Sequence, residues 1–279
     1  MASAATSSMK LNLKGFKSIP RFCSLISRSI SISQSNEANE GWWNKFLHVR
    51  TIDPGKDSHS RLLSDSDLVY ELQIHDIKPC STELYLKGYE HWVHNVQEKI
   101  KDTSLVGSWK VLVGDQDQLV HIWRYNDYTA ANRAMEMYCT DPELQKLQKD
   151  RVKLIRSQEN QLMLAFSFWG HPIAQKWDCN YEMRSYILKP GTMIEWGNIW
   201  ARAITYRKKN HAVAGFFSQI GQLYMVHHIW GYKDLQVRKE VREEVWRNPG
   251  WDECVAHTVP LIREMRSRWL TPNSFSPIL

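Results

Sequence analysis

The chain repeats itself. VYELQIHDIKP at Val69–Pro79 returns as NYEMRSYILKP at Asn180–Pro190. Tyr70 pairs with Tyr181, Glu71 with Glu182 and Pro79 with Pro190, each 111 residues apart, while Ile77 and Ile187 sit one position out of step. Further on, Gly114 and LVHIW (119–123) match Gly221 and VHHIW (226–230), now 107 apart, as are Asp141-Pro142 and Asn248-Pro249. A duplicated unit must fold twice and bury whatever apolar surface each copy leaves open, which constrains the architecture more than any single motif. The change in spacing gives the first copy four extra residues between its first strand and its hairpin, expected in a loop at Lys101–Leu105.

Each copy reads alike. Tyr70, Leu72 and Ile74 alternate as on a strand. A helix follows Pro79 or Pro190, and in the second copy Met193, Trp196, Trp200 and Ile204 recur at helical spacing. WKVLV, the turn Gly114–Asp117 and QLVHIWRY form a hairpin. Charged helices are expected over Tyr128–Tyr138 and Leu235–Trp246, each ending before an X-Pro step that disfavours helical backbone. Helices over Glu143–Arg156 and Asp252–Arg268 come next, and then last strands: NQLMLAFSF in the first copy and a weaker segment ending at Phe275 in the second. The order β-α-β-β-α-β is the ferredoxin-like split unit. Its sheet has one face without helices, and two such faces can close on each other. The expected fold class is α+β: tandem ferredoxin-like domains forming a dimeric-type α/β barrel within one chain. The domains run over 69–170 and 178–279, preceded by a leader arm at 31–68. In that arm we expect a turn at Asp53-Pro54-Gly55 and a short helix at Trp42–Leu47.

Charge separates the N-terminus from the rest. The 279 residues carry 36 Lys and Arg against 30 Asp and Glu, a net +6. Residues 1–36 hold five of the basic residues and no acid, which leaves 31 basic against 30 acidic in the body. The excess therefore does not indicate a nucleic-acid partner. A Ser-rich, acid-free segment with Lys, Arg and scattered apolar residues has the composition of a mitochondrial transit peptide, expected over 1–30 with cleavage near Arg28–Ser31. No apolar run is long enough to span a bilayer. Cys23, Cys80, Cys139, Cys179 and Cys254 are scattered without a CxxC pair, so neither a zinc site nor a disulfide framework is indicated.

The strings GTMIEWGNIWARAITYR (191–207), AGFFSQIGQLYMVHHIW (214–230), GWDE (250–253) and TVPL (258–261) resemble the NipSnap family. The similarity extends from about Trp42 to the C-terminus. It implies a mitochondrial protein with tandem dimeric α/β-barrel domains, located in the matrix after import and on the outer surface of damaged mitochondria. It also implies a non-enzymatic scaffold that marks damaged mitochondria by binding autophagy receptors and the ubiquitin-like autophagy modifiers. The family supplies no catalytic residues to carry over. A homo-oligomer is open.

Two repeated polar pairs remain to be explained. His227 and His228 are neighbours on a strand, point to opposite faces and cannot share an ion. His121 and His228 hold equivalent positions. They could face each other across the barrel interior and bind haem or a small molecule, or they could be core histidines satisfied by hydrogen bonds. Packing is the simpler explanation, so no metal or cofactor is called for. Glu71 and Glu182 could act as paired carboxylates, or form ion pairs with Arg124 or Arg184. Asp65-Ser66-Asp67 and Asp115-Gln116-Asp117 are turn-like and carry no phosphoryl chemistry. For strand addition to a partner's sheet edge, the candidates are Phe46–Val49 and Phe275–Ile278. The alternative to a scaffold is a small-molecule- or haem-binding barrel, with or without catalysis.

Overall fold

Apolar side chains on both faces of the strands give this chain two sheet faces to bury, and it buries both. The computed structural model describes residues 58–207 and 212–279. The expected transit peptide, the turn at 53–55, the helix at 42–47 and the candidates Phe46 and Val49 lie outside the described residues.

The first copy comprises β1 (Val69–Ile77), α1 (Thr82–Lys99), β2 (Thr103–Val113), β3 (Gln118–Tyr125), α2 (Tyr128–Thr140), α3 (Pro142–Val152) and β4 (Ile155–Ala165). The second comprises β5 (Asn180–Leu188), α4 (Met193–Ala203), a 3-10 turn at Ile204–Tyr206, β6 (Ala212–Ile220), β7 (Met225–Tyr232), α5 (Leu235–Val245), α6 (Trp251–Thr258) and β8 (Ile262–Pro272). All eight strands pair antiparallel in one closed barrel, in the order β1-β3-β2-β8-β5-β7-β6-β4. The halves join twice, at β2–β8 from Trp109↔Pro272 to Val113↔Trp269 and at β4–β6 from Leu162↔Ile220 to Ala165↔Phe216. Tandem ferredoxin-like units closing into an α/β barrel are thus the fold.

The repeat extends to local chemistry. Asp127 caps α2 by accepting from the Ala130 amide, and Asp234 caps α5 through the Val237 amide. Left-handed backbone recurs at Gly114 and Gly221, and at Asp117 and Tyr224, so both hairpins turn in the same way.

Two expectations need correction. Thr103–Leu105 is strand, not loop, and the first copy's extra residues lengthen its helical segment: α1 has 18 residues, against 11 in α4 and 3 in the 3-10 turn that continues it. The helices read over Glu143–Arg156 and Asp252–Arg268 stop at Val152 and Thr258. Strands start at Ile155 and Ile262, earlier than NQLMLAFSF or a segment ending at Phe275 suggested. Residues 156–160 and 263–267 are exposed, so these strand ends carry charge in place of alternation and read as solvated helix.

Two apolar layers result. The lumen packs Tyr70, Leu72, Trp109, Ile122, Met163, Tyr181, Met183, Phe216, Ile229 and Leu270 against one another. The outer faces of the strands pack beneath the helices through Tyr85, Tyr89, Trp92 and Trp123 in one half and Trp196, Trp200 and Trp230 in the other. Each such side chain contributes roughly 1.5–3 kcal/mol when fully buried.

Candidate functional site

Alternation decides where each histidine points. His227 faces the lumen with Ile229, while His121 and His228 lie on the helix-covered face with Trp123 and Trp230. His121 and His228 therefore do not face each other across the barrel interior. Each sits under the first helix of its own half.

The His121 ring is stacked on Tyr89, centroids 3.8 Å apart. Its Nδ1 is 2.8 Å from Ser108 Oγ and its Nε2 3.1 Å from Tyr85 Oη. Tyr85 Oη lies in turn 2.5 Å from His75 Nδ1. Ser108 Oγ accepts from Asn273 Nδ2 at 2.8 Å, so the residues after β8 fasten onto the first half. Burial holds both imidazoles neutral, with the nearby Arg151 charge adding to it: His75 is lowered to about 3, and His121 falls well below its usual range. The guanidinium of Arg151 covers the Trp92 ring at 4.4 Å and the Tyr89 ring at 5.3 Å.

The second copy keeps the histidine and loses its partners. The positions of His75, Tyr85 and Ser108 are taken by Tyr186, Trp196 and Gly215. Trp169 fills the space over Gly215, where an added Cβ would lie 2.4 Å from the indole. The His228 ring is enclosed by Trp169 (4.3 Å), Trp200 (4.6 Å), Trp196 (5.1 Å) and Tyr186 (5.4 Å). Both of its ring nitrogens are buried without a hydrogen-bond partner, as are the indole N–H groups of Trp169, Trp196 and Trp230. The expected satisfaction of both histidines thus holds for His121 and fails for His228. A haem does not fit either residue, because both nitrogens of His121 are engaged and the space around His228 is filled by indoles.

In the lumen, His227 bridges Ser185 Oγ (2.8 Å) and Gln161 Oε1 (3.1 Å). The repeat hid this residue, since its counterpart is Val120. Beyond it lies a cavity of about 730 Å³ at one barrel mouth, lined by Asp76, Asp115, Arg156, Glu159, Arg266 and Arg268 among others. Asp115 pairs with Arg266 and Arg268, Arg268 also donates to Gln118, and Asp76 accepts from Gln118 and Ser157.

Glu71 and Glu182 share no partner and form no carboxylate pair. Glu71 accepts from Tyr125 Oη (2.6 Å) and Asn160 Nδ2 (2.7 Å), not from Arg124. Glu182 accepts from Arg238 (2.6 and 2.9 Å), Arg184 (3.0 Å) and Ser267 (2.7 Å). Burial pushes its carboxyl up. The Arg238 hydrogen bond, the Arg184 charge and Ser267 outweigh that and hold it at about 2.

The Phe275–Ile278 segment is not free for strand addition. Ile278 is 1% exposed in the lumen cluster, Phe275 packs against the helix layer, and Ser276 Oγ accepts from the Ser108 amide. Among the described residues no group of three or more His, Cys, Asp or Glu could hold a metal, and no helix is long and apolar enough to cross a membrane.

The NIPSNAP family model matches residues 70–169 and 181–277. Protein NipSnap of Drosophila melanogaster is 53% identical over 254 residues, covering 90% of this chain and 93% of that protein. Protein NipSnap homolog 2 of Homo sapiens is 47% identical over 262 residues, covering 92% of each. Among solved structures, an anthrone oxidase-like protein superposes with a TM-score of 0.51 at 8% identity, over 76% of this chain and 93% of that one, a likeness of fold alone.

Proposed function

The chain belongs to the NIPSNAP family, and we propose from that premise that it is a non-enzymatic mitochondrial interaction protein. In this reading it is imported through its basic N-terminus and on damaged mitochondria binds autophagy receptors and ubiquitin-like autophagy modifiers. One observation carries the non-enzymatic part: His227, Glu182 and His121 are each engaged by neighbouring side chains, and the unpartnered His228 is walled in by indoles. His227 is held by Ser185 and Gln161, Glu182 by two arginines and a serine, and His121 by Ser108 and Tyr85. The lumen between them is filled by Trp109, Tyr181, Met163 and Met183. A partner has apolar contacts to use on the surface, with Ile173 75% and Trp246 57% exposed. The test is direct binding of the full chain to a purified ubiquitin-like autophagy modifier, together with capture of receptors from depolarised and healthy mitochondria. Depolarisation-dependent capture is expected. No binding in either arm overturns the reading.

A second reading, a small-molecule-binding barrel, is favoured by the charged cavity at the barrel mouth. A co-purifying small molecule whose loss follows Arg268→Ala would favour it over the scaffold.

A further inference from the structure

We propose that Tyr85 is a redox-active tyrosine: an oxygen-centred radical of the peroxyl class removes one electron from its ring while its phenolic proton passes to His75. This goes beyond the scaffold reading and does not rest on it.

The direction of the hydrogen-bond row makes the case. Asn273 Nδ2 can only donate, and it donates to Ser108 Oγ. His121 Nδ1, 2.8 Å away, is an acceptor within reach of the Ser108 hydrogen, and we assign that hydrogen to it. His121 therefore carries its proton on Nε2 and gives that N–H to Tyr85 Oη at 3.1 Å. With its oxygen already accepting, Tyr85 points its hydroxyl hydrogen at His75 Nδ1, 2.5 Å away. A neutral imidazole thus stands ready as acceptor before any electron moves.

The step balances. The ring of Tyr85 loses one electron to the peroxyl radical, which becomes a peroxide anion. The phenolic O–H bond breaks, an N–H bond forms at His75 Nδ1, and the site holds a neutral tyrosyl radical beside an imidazolium. An oxidised phenol is a strong acid, so even the weakly basic buried His75 takes its proton.

Neighbouring rings explain why the charge stops here. Tyr85 stacks on Tyr89 with centroids 5.6 Å apart, and Tyr89 Oη accepts from the Trp123 indole at 2.8 Å. Tyr89 donates to the Gln73 amide oxygen, which cannot keep a proton, and lies under the Arg151 guanidinium, which disfavours a positive ring. Tyr125 is the rival, because it donates to the Glu71 carboxylate at 2.6 Å. The second copy has no such site, having Trp196 and Tyr186 at the equivalent positions.

The experiment oxidises the full chain with radiolytic azide radicals and follows tyrosyl radical by absorbance and by freeze-quench EPR. A long-lived tyrosyl signal is expected in the wild type. It should be lost in Tyr85→Phe, short-lived in His75→Phe, retained in Tyr125→Phe, and formed more slowly in deuterated solvent. Where Tyr85→Phe fails to fold, 3-fluorotyrosine at position 85 decides, because fluorine hyperfine splitting must then appear in the signal. A signal that survives Tyr85→Phe, disappears in Tyr125→Phe, lacks that splitting, or never forms overturns the proposal.

Discussion

His228 and Trp169 lie with ring centroids 4.3 Å apart, and neither nitrogen of the imidazole meets a hydrogen-bond partner. Its twin His121 bonds through both nitrogens. Duplication placed the same side chain in two environments, and only one of them supports a polar ring.

That difference gives opposite mutational signs. Replacing His121 by Leu removes one partner each from the buried Ser108 and Tyr85 hydroxyls and should cost about 1–3 kcal/mol. At His228 the same replacement removes an unpaired polar group, and stability should stay level or rise by about 1 kcal/mol. Urea denaturation of both variants checks this. Equal losses at the two sites would show that His228 has a partner.

Glu182 should make the fold acid-sensitive. Its carboxyl sits at about 2 in the folded chain against an ordinary 4.5. The depressed value means its ionised form stabilises the fold above about pH 4.5, and that share is lost as pH falls towards 2. The share is on the order of 3 kcal/mol. Glu182→Gln leaves two arginines without their carboxylate and should cost about 3–5 kcal/mol at neutral pH while flattening the acid limb. Thermal melts between pH 2 and pH 7 read both effects (about the range set by the shift). An acid limb unchanged in the variant would assign the sensitivity elsewhere.

Much of this fold was legible in the duplication, because a two-residue alternation and a fixed offset survive in the sequence whatever the side chains do. The first strands repeat at an offset of 111, and the caps at Asp127 and Asp234 and the shared facing of His121 and His228 at 107. The extra turn of α1 was misread because an insertion of four fits a loop or a helical turn equally well. The ends of α3 and α6 were misread because Arg156–Asn160 and Arg263–Ser267 are solvated strand and show no alternation. The row from His75 to Asn273 was illegible for another reason: its members are spread along the chain and meet only once the barrel closes. Comparing the two copies at His75/Tyr186, Tyr85/Trp196 and Ser108/Gly215 contains the signal that the second histidine lost its partners.

The segment Phe275–Ile278 should matter for stability and not for capture of partners. Ile278 is buried in the lumen cluster, and truncation to Ala should cost about 2–5 kcal/mol through the cavity it leaves. Receptor capture at a temperature where the variant stays folded should be unchanged. Loss of capture by a folded Ile278→Ala protein would return this segment to the list of binding motifs.

Cys80 offers the cleanest test of the repeat as a physical template. Its backbone is left-handed, with φ 66°, and its counterpart 111 residues on is Gly191, with φ 86°. Both follow the Lys-Pro pair that leads into the first helix of their half. A side chain at such a φ crowds its own carbonyl and costs roughly 1–2 kcal/mol, which glycine avoids. Cys80→Gly should therefore stabilise the protein, by less than that amount because glycine also loosens the unfolded chain. Gly191→Ala should destabilise it by about 1 kcal/mol, although nothing lies within 4 Å of the added Cβ, so the loss isolates backbone strain from packing. Chemical denaturation of the two variants reads opposite signs if one template governs both positions. The same sign in both would show that the two positions answer to different local constraints.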